Sequence, residues 1–551
     1  MGQGSHALTL RRRALLAGAG AAALAGCGPA REIAGDFNGT AVERGHALRD
    51  VRGWPPATVA RRAQVLVAGG GIAGLAAARA LRQRGVDDFA VLEMEDHAGG
   101  NSRAGSVNGI ACPLGAHYLP VPGDDAHEVQ DLLEELGLRR RVAGRWVYDE
   151  RTLCHSPQER LYFQGAWQEG LLPWLGVGAA TLAAYRRFAA RVEALRREAR
   201  FAMPALRAPV LPLHLALDAQ TFDAWLAAEG FADPQLRWYL DYCCRDDYGA
   251  GSACVSAWAG IHYFASRHGF HVPGGSGAQE GDDPEAGLLT WPEGNGWLAR
   301  RLAAPCGARI ATGRTVLRIA ETRAGVEVDA WDHATQQTER WRAGHCIVAL
   351  PVFVAARVVQ PAPDFLRAAA ARTPHAAWAV ANIRLDAPLA DRAGAAPAWD
   401  NVLHGAPGLG YVDARHQSLD PRPGPTVLTW YQALGTAPEA RRMLLERPWG
   451  AWRDAILAEL AAPHPDIAER ATRIEVTRYG HAMAVPVPGQ LAFLNEIGPQ
   501  RLNDKRWQLL KNEQSVPVPG TAHLSFAHAD WAGYSVFEEA FTRGHAAGLA
   551  A

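Results

Sequence analysis

A six-residue run with four glycines, of which Gly69, Gly71 and Gly74 hold the GxGxxG positions, separates an apolar stretch, Ala63–Ala68, from an apolar helical pattern, Leu75–Arg84. Gly69 permits a tight turn, Gly71 lets the backbone approach a pyrophosphate, and Gly74 lets helix and strand pack closely. The helix start, at Ile72 and Ala73, would aim unbonded N–H groups and the positive end of its dipole at phosphate oxygens. A second apolar stretch, Phe89–Leu92, ends at Glu93, nineteen residues after Gly74. An acid there is placed to hydrogen-bond an adenosine ribose. Strand, glycine turn, helix, strand and acid in this register predict a dinucleotide-binding unit.

Other groups could do chemistry further along. Asp246 and Asp247 follow Arg245 near the end of an expected helix, Leu236–Cys244. Paired carboxylates suit acid–base work, but beside an arginine they are expected to cap a turn or pair with Arg245. His481, His528, Arg357, Arg478, Tyr431 and Trp430 are candidate pocket groups; the last two sit in Thr426–Gln432, whose alternation predicts an ordinary strand. His268 and His271 lack a ligand pattern, so no metal is expected. The seven cysteines after Cys27 are scattered, odd in number and without CxxC spacing. They are expected to be buried thiols, neither a disulfide framework nor a zinc site.

The elements that must position these groups belong to a chain of 551 residues, which suits two or three domains. Hydrophobic residues at 48% and charged residues at 21% exclude a disordered or collagen-like chain. A net charge of -1 argues against nucleic acid as a partner. Lys505 and Lys511 are the only lysines, so arginine carries nearly all the positive charge. Between about 145 and 290 the pattern turns helical, with Tyr185, Phe188, Val192, Leu195 and Ala199 at helical spacing. Residues 268–287 are rich in glycine, proline and acids, and read as a surface loop.

The N-terminus reads as an address. Arg11, Arg12 and Arg13 precede an apolar stretch, Ala14–Gly26, too short to span a bilayer. This resembles a twin-arginine export signal, and Leu24–Cys27 resembles a bacterial lipobox. The expectation is an exported protein on the periplasmic or outer-surface side, held to a membrane through lipidated Cys27.

After Glu93 comes Asp96–Ser102, in which Gly99, Gly100, Asn101 and Ser102 resemble the second flavin fingerprint of the FAD-dependent amine oxidase superfamily. Most members have Arg where Asn101 stands, and Arg103 is nearby. The segment Gly115, Ala116, His117 and Tyr118 is similar to the family's segment beside the flavin ring. Val316, in Arg314–Ile319, matches the strand whose backbone holds the adenine. Asp530, in Phe526–Asp530, stands at the family's acidic position near the ribityl chain and pyrophosphate. Val536 and Phe537 open a stretch similar to the terminal helix aimed at the flavin pyrimidine ring. Trp291–Leu298 and Cys346–Pro351 resemble two further family segments.

The resemblance implies an α/β fold: a Rossmann-like (GR2-type) FAD-binding domain with a discontinuous α+β substrate domain. The expected division is a signal peptide over 1–27, a tether over 28–60, FAD-binding parts over 61–145, 291–351 and 491–551, and substrate-domain parts over 146–290 (mostly helical) and 352–490. It implies non-covalent FAD, and hydride transfer from a small-molecule substrate, an amine or polyamine by family default. The electron acceptor would be oxygen or quinone-type. Where many amine oxidases hold a water on Lys, the count past Pro351 reaches Arg357; where monoamine oxidases carry a flavin-bonding Cys, His481 stands. Both are expected to be catalytic. A fixed Arg357 cation at the flavin would disfavour a compact charged monoamine. The alternatives are a desaturase or isomerase of an apolar substrate, and a flavin-binding lipoprotein without turnover.

Overall fold

The computed structural model describes residues 32–51, 53–267, 269–273, 287–390, 392–420, 422–497 and 518–551. At its centre five strands run parallel, in the order Ile310–Ala311, Phe89–Leu92, Val65–Ala68, His345–Val348, Leu524–Phe526. Val65–Ala68 and Phe89–Leu92 are buried at every residue. Such uniform runs, without alternation, are what a parallel sheet covered on both faces requires. The helix Ile72–Gln83 crosses the terminal helix Phe537–Ala550 at backbone contact: a Cβ on Gly544 would lie 2.0 Å from the Ala73 carbonyl oxygen, and one on Gly548 2.4 Å from that of Ala77.

A second sheet of four strands joins Arg314–Thr322, Gly325–Asp332 and Gln337–Ala343 to Val59–Arg62. A third has eight strands, with His375–Leu385 between Thr426–Gly435 and Ala471–Ala484. Helices Ala179–Glu198, Phe222–Ala228, Pro234–Tyr248 and Ala257–Ala265 pack on this third sheet through one core that includes Tyr185, Phe188, Phe222, Tyr248, Val380 and Tyr431. The helix Pro234–Tyr248 begins with Asp233 accepting the N–H groups of Gln235 and Leu236, both at 3.0 Å, and ends at Gly249 in the left-handed region, φ +74°. These are ordinary start and stop signals, and they fix Asp246 and Asp247 in its last turn.

The structure moves several expected boundaries. Residues expected to form a tether, 28–60, include the strand Ala34–Phe37, which pairs with Ala471–Ala484, and the helix Val42–Asp50. That helix is tied to the turn after Glu93 by Arg44, which donates to the Met94 carbonyl at 2.9 Å and pairs with Asp96 at 2.8 Å. The region 146–290 contains, ahead of its helices, strands Glu159–Phe163 and Ala166–Glu169, both in the eight-stranded sheet. Helices Val352–Val358 and Asp364–Arg372 pack with the parallel sheet's core, so the substrate-domain part assigned to 352–490 starts near His375. Asp247 pairs with Arg267 at 3.0 Å, not with Arg245, which pairs with Asp241 at 3.1 Å. The seven described cysteines are all free; Cys154 and Cys254 are half-buried and the rest buried. Among the described residues no helix is long and apolar enough to cross a membrane. The expected signal peptide, residues 1–27 with Cys27, lies outside the described residues.

Candidate active site

The site begins where two glycine turns face each other. Gly69 has φ +102° and its Cβ would lie 2.4 Å from the Ala349 carbonyl oxygen; a Cβ on Gly74 would lie 1.9 Å from that of Gly69. Gly71 differs: a Cβ there would meet only the Gly100 Cα, at 3.9 Å. No side chain caps the helix that starts at Ile72. Gly71 bridges to Gly99, and Ser102, buried, closes that second turn by donating its N–H to the Gly99 carbonyl at 3.0 Å. An open backbone cradle beside an uncapped helix start, with Ile72 and Ala73 in its first turn, fits the pyrophosphate of a dinucleotide.

Glu93 accepts the Gly70 N–H at 2.7 Å on one oxygen and the Glu95 N–H at 2.8 Å on the other. Burial raises its pKa, and these two donors work against that rise. Each oxygen keeps a lone pair for a ribose hydroxyl. Beneath it, the Arg314 N–H donates to the Glu93 carbonyl at 2.8 Å, which starts the strand carrying buried Val316. The ladder slips between Val316 and Arg318.

Asn101 has a tying role. Its amide donates to the Ala482 carbonyl at 2.6 Å, while its own carbonyl accepts the Ala116 N–H at 2.9 Å. Gly115 is required by the same contact, since a Cβ would fall 2.3 Å from the Asn101 carbonyl oxygen. Asn295 holds the segment from the other side, donating to the Tyr118 carbonyl at 2.7 Å.

Asp530 is buried, with one oxygen accepting the Val352 N–H at 2.9 Å and lying 3.0 Å from His375 Nε2. Its other oxygen lies 3.1 Å from His528 Nδ1. Burial pushes its pKa up, but His528 and His375 outweigh that and hold it below the usual carboxylate range. Val536 and Phe537 begin the terminal helix, which has no side-chain cap; burial pushes Glu538 in its first turn up to about 7.

Around His117 and Tyr118 gathers an aromatic, acidic cluster. The His117 ring is 4.8 Å from Tyr431 and 5.6 Å from Trp399; Tyr118 meets Trp399 edge-on at 5.8 Å. The Tyr431 hydroxyl donates to Asp400 at 3.1 Å, and its ring lies parallel to Trp378 at 6.4 Å. Burial raises Asp400 to about 7. Burial first, and the Asp400 carboxylate second, raise Asp246 to about 8. Both residues are half-buried. Burial lowers His117 to about 4, so the ring is neutral at neutral pH.

Of the candidate pocket groups, the structure brings only Tyr431 here. Arg357 is exposed and donates to the carbonyls of Leu48 at 2.7 Å and Arg49 at 3.3 Å, at the C-terminal end of Val42–Asp50. A cation satisfies the orphan carbonyls of a helix end, and this corrects the expectation of a flavin-facing Arg357. His481 packs on Phe353 at 4.6 Å, near His375; its ring is solvent-accessible, yet crowding by the surrounding chain, then Arg441 and His375, lower it to about 4. Arg478 donates to the Leu445 carbonyl and covers Phe37. Trp430 points to the opposite face from Tyr431 and donates to Glu459 at 2.8 Å. Sequence reading missed Asp400, Trp378 and Trp399, which carry no local motif. It undervalued Asp246.

A parallel sheet with facing glycine turns, a large eight-stranded sheet and a helical layer packed on it define a mixed α/β scaffold with a cradle for a dinucleotide. Residues 72–547 match the model of the flavin-containing amine oxidoreductases. The chain belongs to that family, and FAD is its cofactor. It is 29% identical over 307 residues, 54% of this chain, to AofH of Mycobacterium tuberculosis, described as a flavin-containing monoamine oxidase, and the match spans 58% of that relative's length. Among solved structures, putrescine oxidase bound to putrescine superposes with a TM-score of 0.64 at 16% identity, over 89% of this chain and 99% of that one. Cyclohexylamine oxidase from Brevibacterium oxydans gives 0.61 at 18%, over 89% and 98%. A fatty acid isomerase from P. acnes gives 0.58 at 14%, over 88% and 97%. At such identities these likenesses show the fold alone.

Proposed function

We propose that the protein is a FAD-dependent oxidoreductase of cationic amines, with a Rossmann-like, GR2-type FAD-binding domain and a discontinuous substrate domain. FAD, when bound, supplies the hydride acceptor for a substrate C–H. The chain supplies attraction and orientation. Support comes from one arrangement: Asp246 and Asp400 stand close to one another beside the aromatic cluster of His117, Tyr118, Trp399 and Tyr431. Arg267 neutralises neighbouring Asp247, so the negative charge free to attract an ammonium group is that of Asp246 and Asp400, and it develops as they deprotonate near and above neutral pH. Neutral His117 adds no repulsion, and the ring faces add cation–π attraction. With Arg357 held at a helix end, the electrostatic objection to a charged amine is gone. Tyr431 orients Asp400, which in turn would position an ammonium group.

Anaerobic flavin bleaching tests the reading. Aliphatic monoamines and diamines should bleach the flavin, while neutral alcohols and unsaturated fatty acids should not. Bleaching by an unsaturated lipid alone would replace this reading by a desaturase or isomerase, which the aromatic lining favours. We further infer, from the sequence, non-covalent FAD, twin-arginine export and anchoring through acylated Cys27, with oxygen or a quinone-type acceptor. Denaturation should release FAD, and Cys27→Ser should free the protein from membranes.

A further inference from the structure

Residues Arg139–Val142 and Arg145–Tyr148 form a two-stranded hairpin outside the three main sheets. Its loop is two residues, Ala143 and Gly144, both at positive φ (+49° and +82°), the pattern of a tight hairpin turn. The sequence RRRVAGRWVY holds four arginines and no acid. An isolated hairpin is marginal in water, and this one is held at its foot. Arg139, buried, pairs with Glu134 at 3.1 Å and covers the Trp146 ring at 3.7 Å, and Tyr148 is buried.

Everything between is exposed, from Arg140 through Val147. Three of the nine exposed large hydrophobic residues among the described residues are here: Val142, Trp146 and Val147. Arg140, Arg141 and Arg145 make no ion pair with any described residue; Arg141 turns back to the Gly144 carbonyl at 3.4 Å and toward Trp146. Register places Arg141 opposite Trp146 and Arg140 opposite Val147. Each face of the tip therefore mixes arginine with an apolar group. Below the hairpin a cleft of about 420 Å³, with Leu138, Asp149 and Arg301 in its lining, contains the stacked indoles of Trp291 and Trp297, 5.1 Å apart.

Unpaired arginines beside exposed tryptophan and valine match a surface that is anionic outside and apolar just beneath. An indole sits well at such a boundary, and each arginine adds electrostatic attraction to acidic headgroups. We propose that this hairpin docks the protein on an anionic phospholipid bilayer, its tip in the headgroup layer. The docking does not depend on the amine reading or on the acyl anchor, and a patch of this kind supplies the second signal that stable membrane attachment needs.

The test is vesicle co-sedimentation of the full chain carrying Cys27→Ser, with the leader segment common to all variants as the baseline. Vesicles of phosphatidylcholine alone are compared with equal parts phosphatidylcholine and phosphatidylglycerol. The anionic vesicles should bind about a hundredfold tighter, given about 1 kcal/mol for each of three arginines, and salt should weaken that preference. Arg140→Glu with Arg141→Glu and Arg145→Glu should cut the preference back to the baseline set by the leader segment. Trp146→Ser should weaken anionic-vesicle binding several-fold. FAD content should stay at wild-type values in both variants and the melting temperature in the triple variant, which separates lost docking from lost folding. Equal binding to both vesicles, or an undiminished preference in the triple variant, would overturn the proposal. Absent vesicle binding with arginine-dependent binding of polyglutamate would overturn it in favour of an acidic protein partner.

Discussion

The side-chain amide of Asn101 donates to the main-chain carbonyl of Ala482 at 2.6 Å. One bond thus joins the second glycine turn, which flanks the cofactor cradle, to the strand that carries His481. Asn101 thereby holds two parts of the fold in register. Asn101→Ala should weaken FAD by roughly fivefold to thirtyfold, the equivalent of about 1–2 kcal/mol. Titrating apoprotein with FAD checks this; unchanged affinity would show that the bond does not shape the cradle.

The two clustered acids give a pH signature. Asp246 and Asp400 titrate as a coupled pair near 8 and near 7. Attraction for an ammonium group needs them deprotonated, so kcat/KM for an amine should rise as pH climbs through 7 to 8. Asp246→Asn or Asp400→Asn should raise KM roughly tenfold to a hundredfold and flatten that rise. An unaltered profile in both variants would exclude the acids from substrate binding.

The same pair sets a stability trend. A carboxyl whose folded pKa is raised favours folding fully below its unfolded value, near 4, and loses that contribution as pH rises through the folded value. Asp246→Asn should therefore melt higher than wild type at pH 9, with the difference shrinking towards pH 5. Thermal unfolding at the two pH values measures it, and a lower melting temperature at pH 9 would contradict the burial of this carboxylate.

Arg357 should prove structural. Arg357→Ala removes two hydrogen bonds to a helix end, so the melting temperature should fall slightly. Flavin reduction by an amine should stay within about twofold of wild type. A large loss of reduction rate with normal FAD binding would return Arg357 to the active site.

The helix crossing sets a steric limit. Gly544→Ala places a methyl group 2.0 Å from a backbone oxygen, so a helix must shift. A cost of about 1–3 kcal/mol is expected, with reduced retention of FAD. Gly178→Ala, where a Cβ meets nothing within 4 Å, is the control and should stay within about 0.5 kcal/mol. Chemical denaturation of both variants decides the matter.

What could be read in the sequence was local. Gly69, Gly71, Gly74 and Glu93 lie close together in the chain, and turn geometry alone demands those residue types. Asp246 was visible but ambiguous, because the arginine beside it in sequence, Arg245, points to Asp241 instead. Asp400 and Trp378 carry no signal, since tertiary packing of distant strands brings them to the cluster. Arg357 was misplaced by counting along the chain. A helix exposes different faces at successive residues, so a count cannot say which one looks inward. The segment 28–60 reads as a tether because the short edge strand Ala34–Phe37 and the start of Val59–Arg62 lack a strong periodic pattern.

The parallel sheet places Val65–Ala68 against His345–Val348, and that strand against Leu524–Phe526. Neighbours in space are thus separated by most of the chain, and the last helix must arrive before Ala73 meets Gly544. A ribosome that has released only the first half has made the glycine turn but not the walls around it. The complete cradle is therefore a product of long-range contacts, which form late in folding.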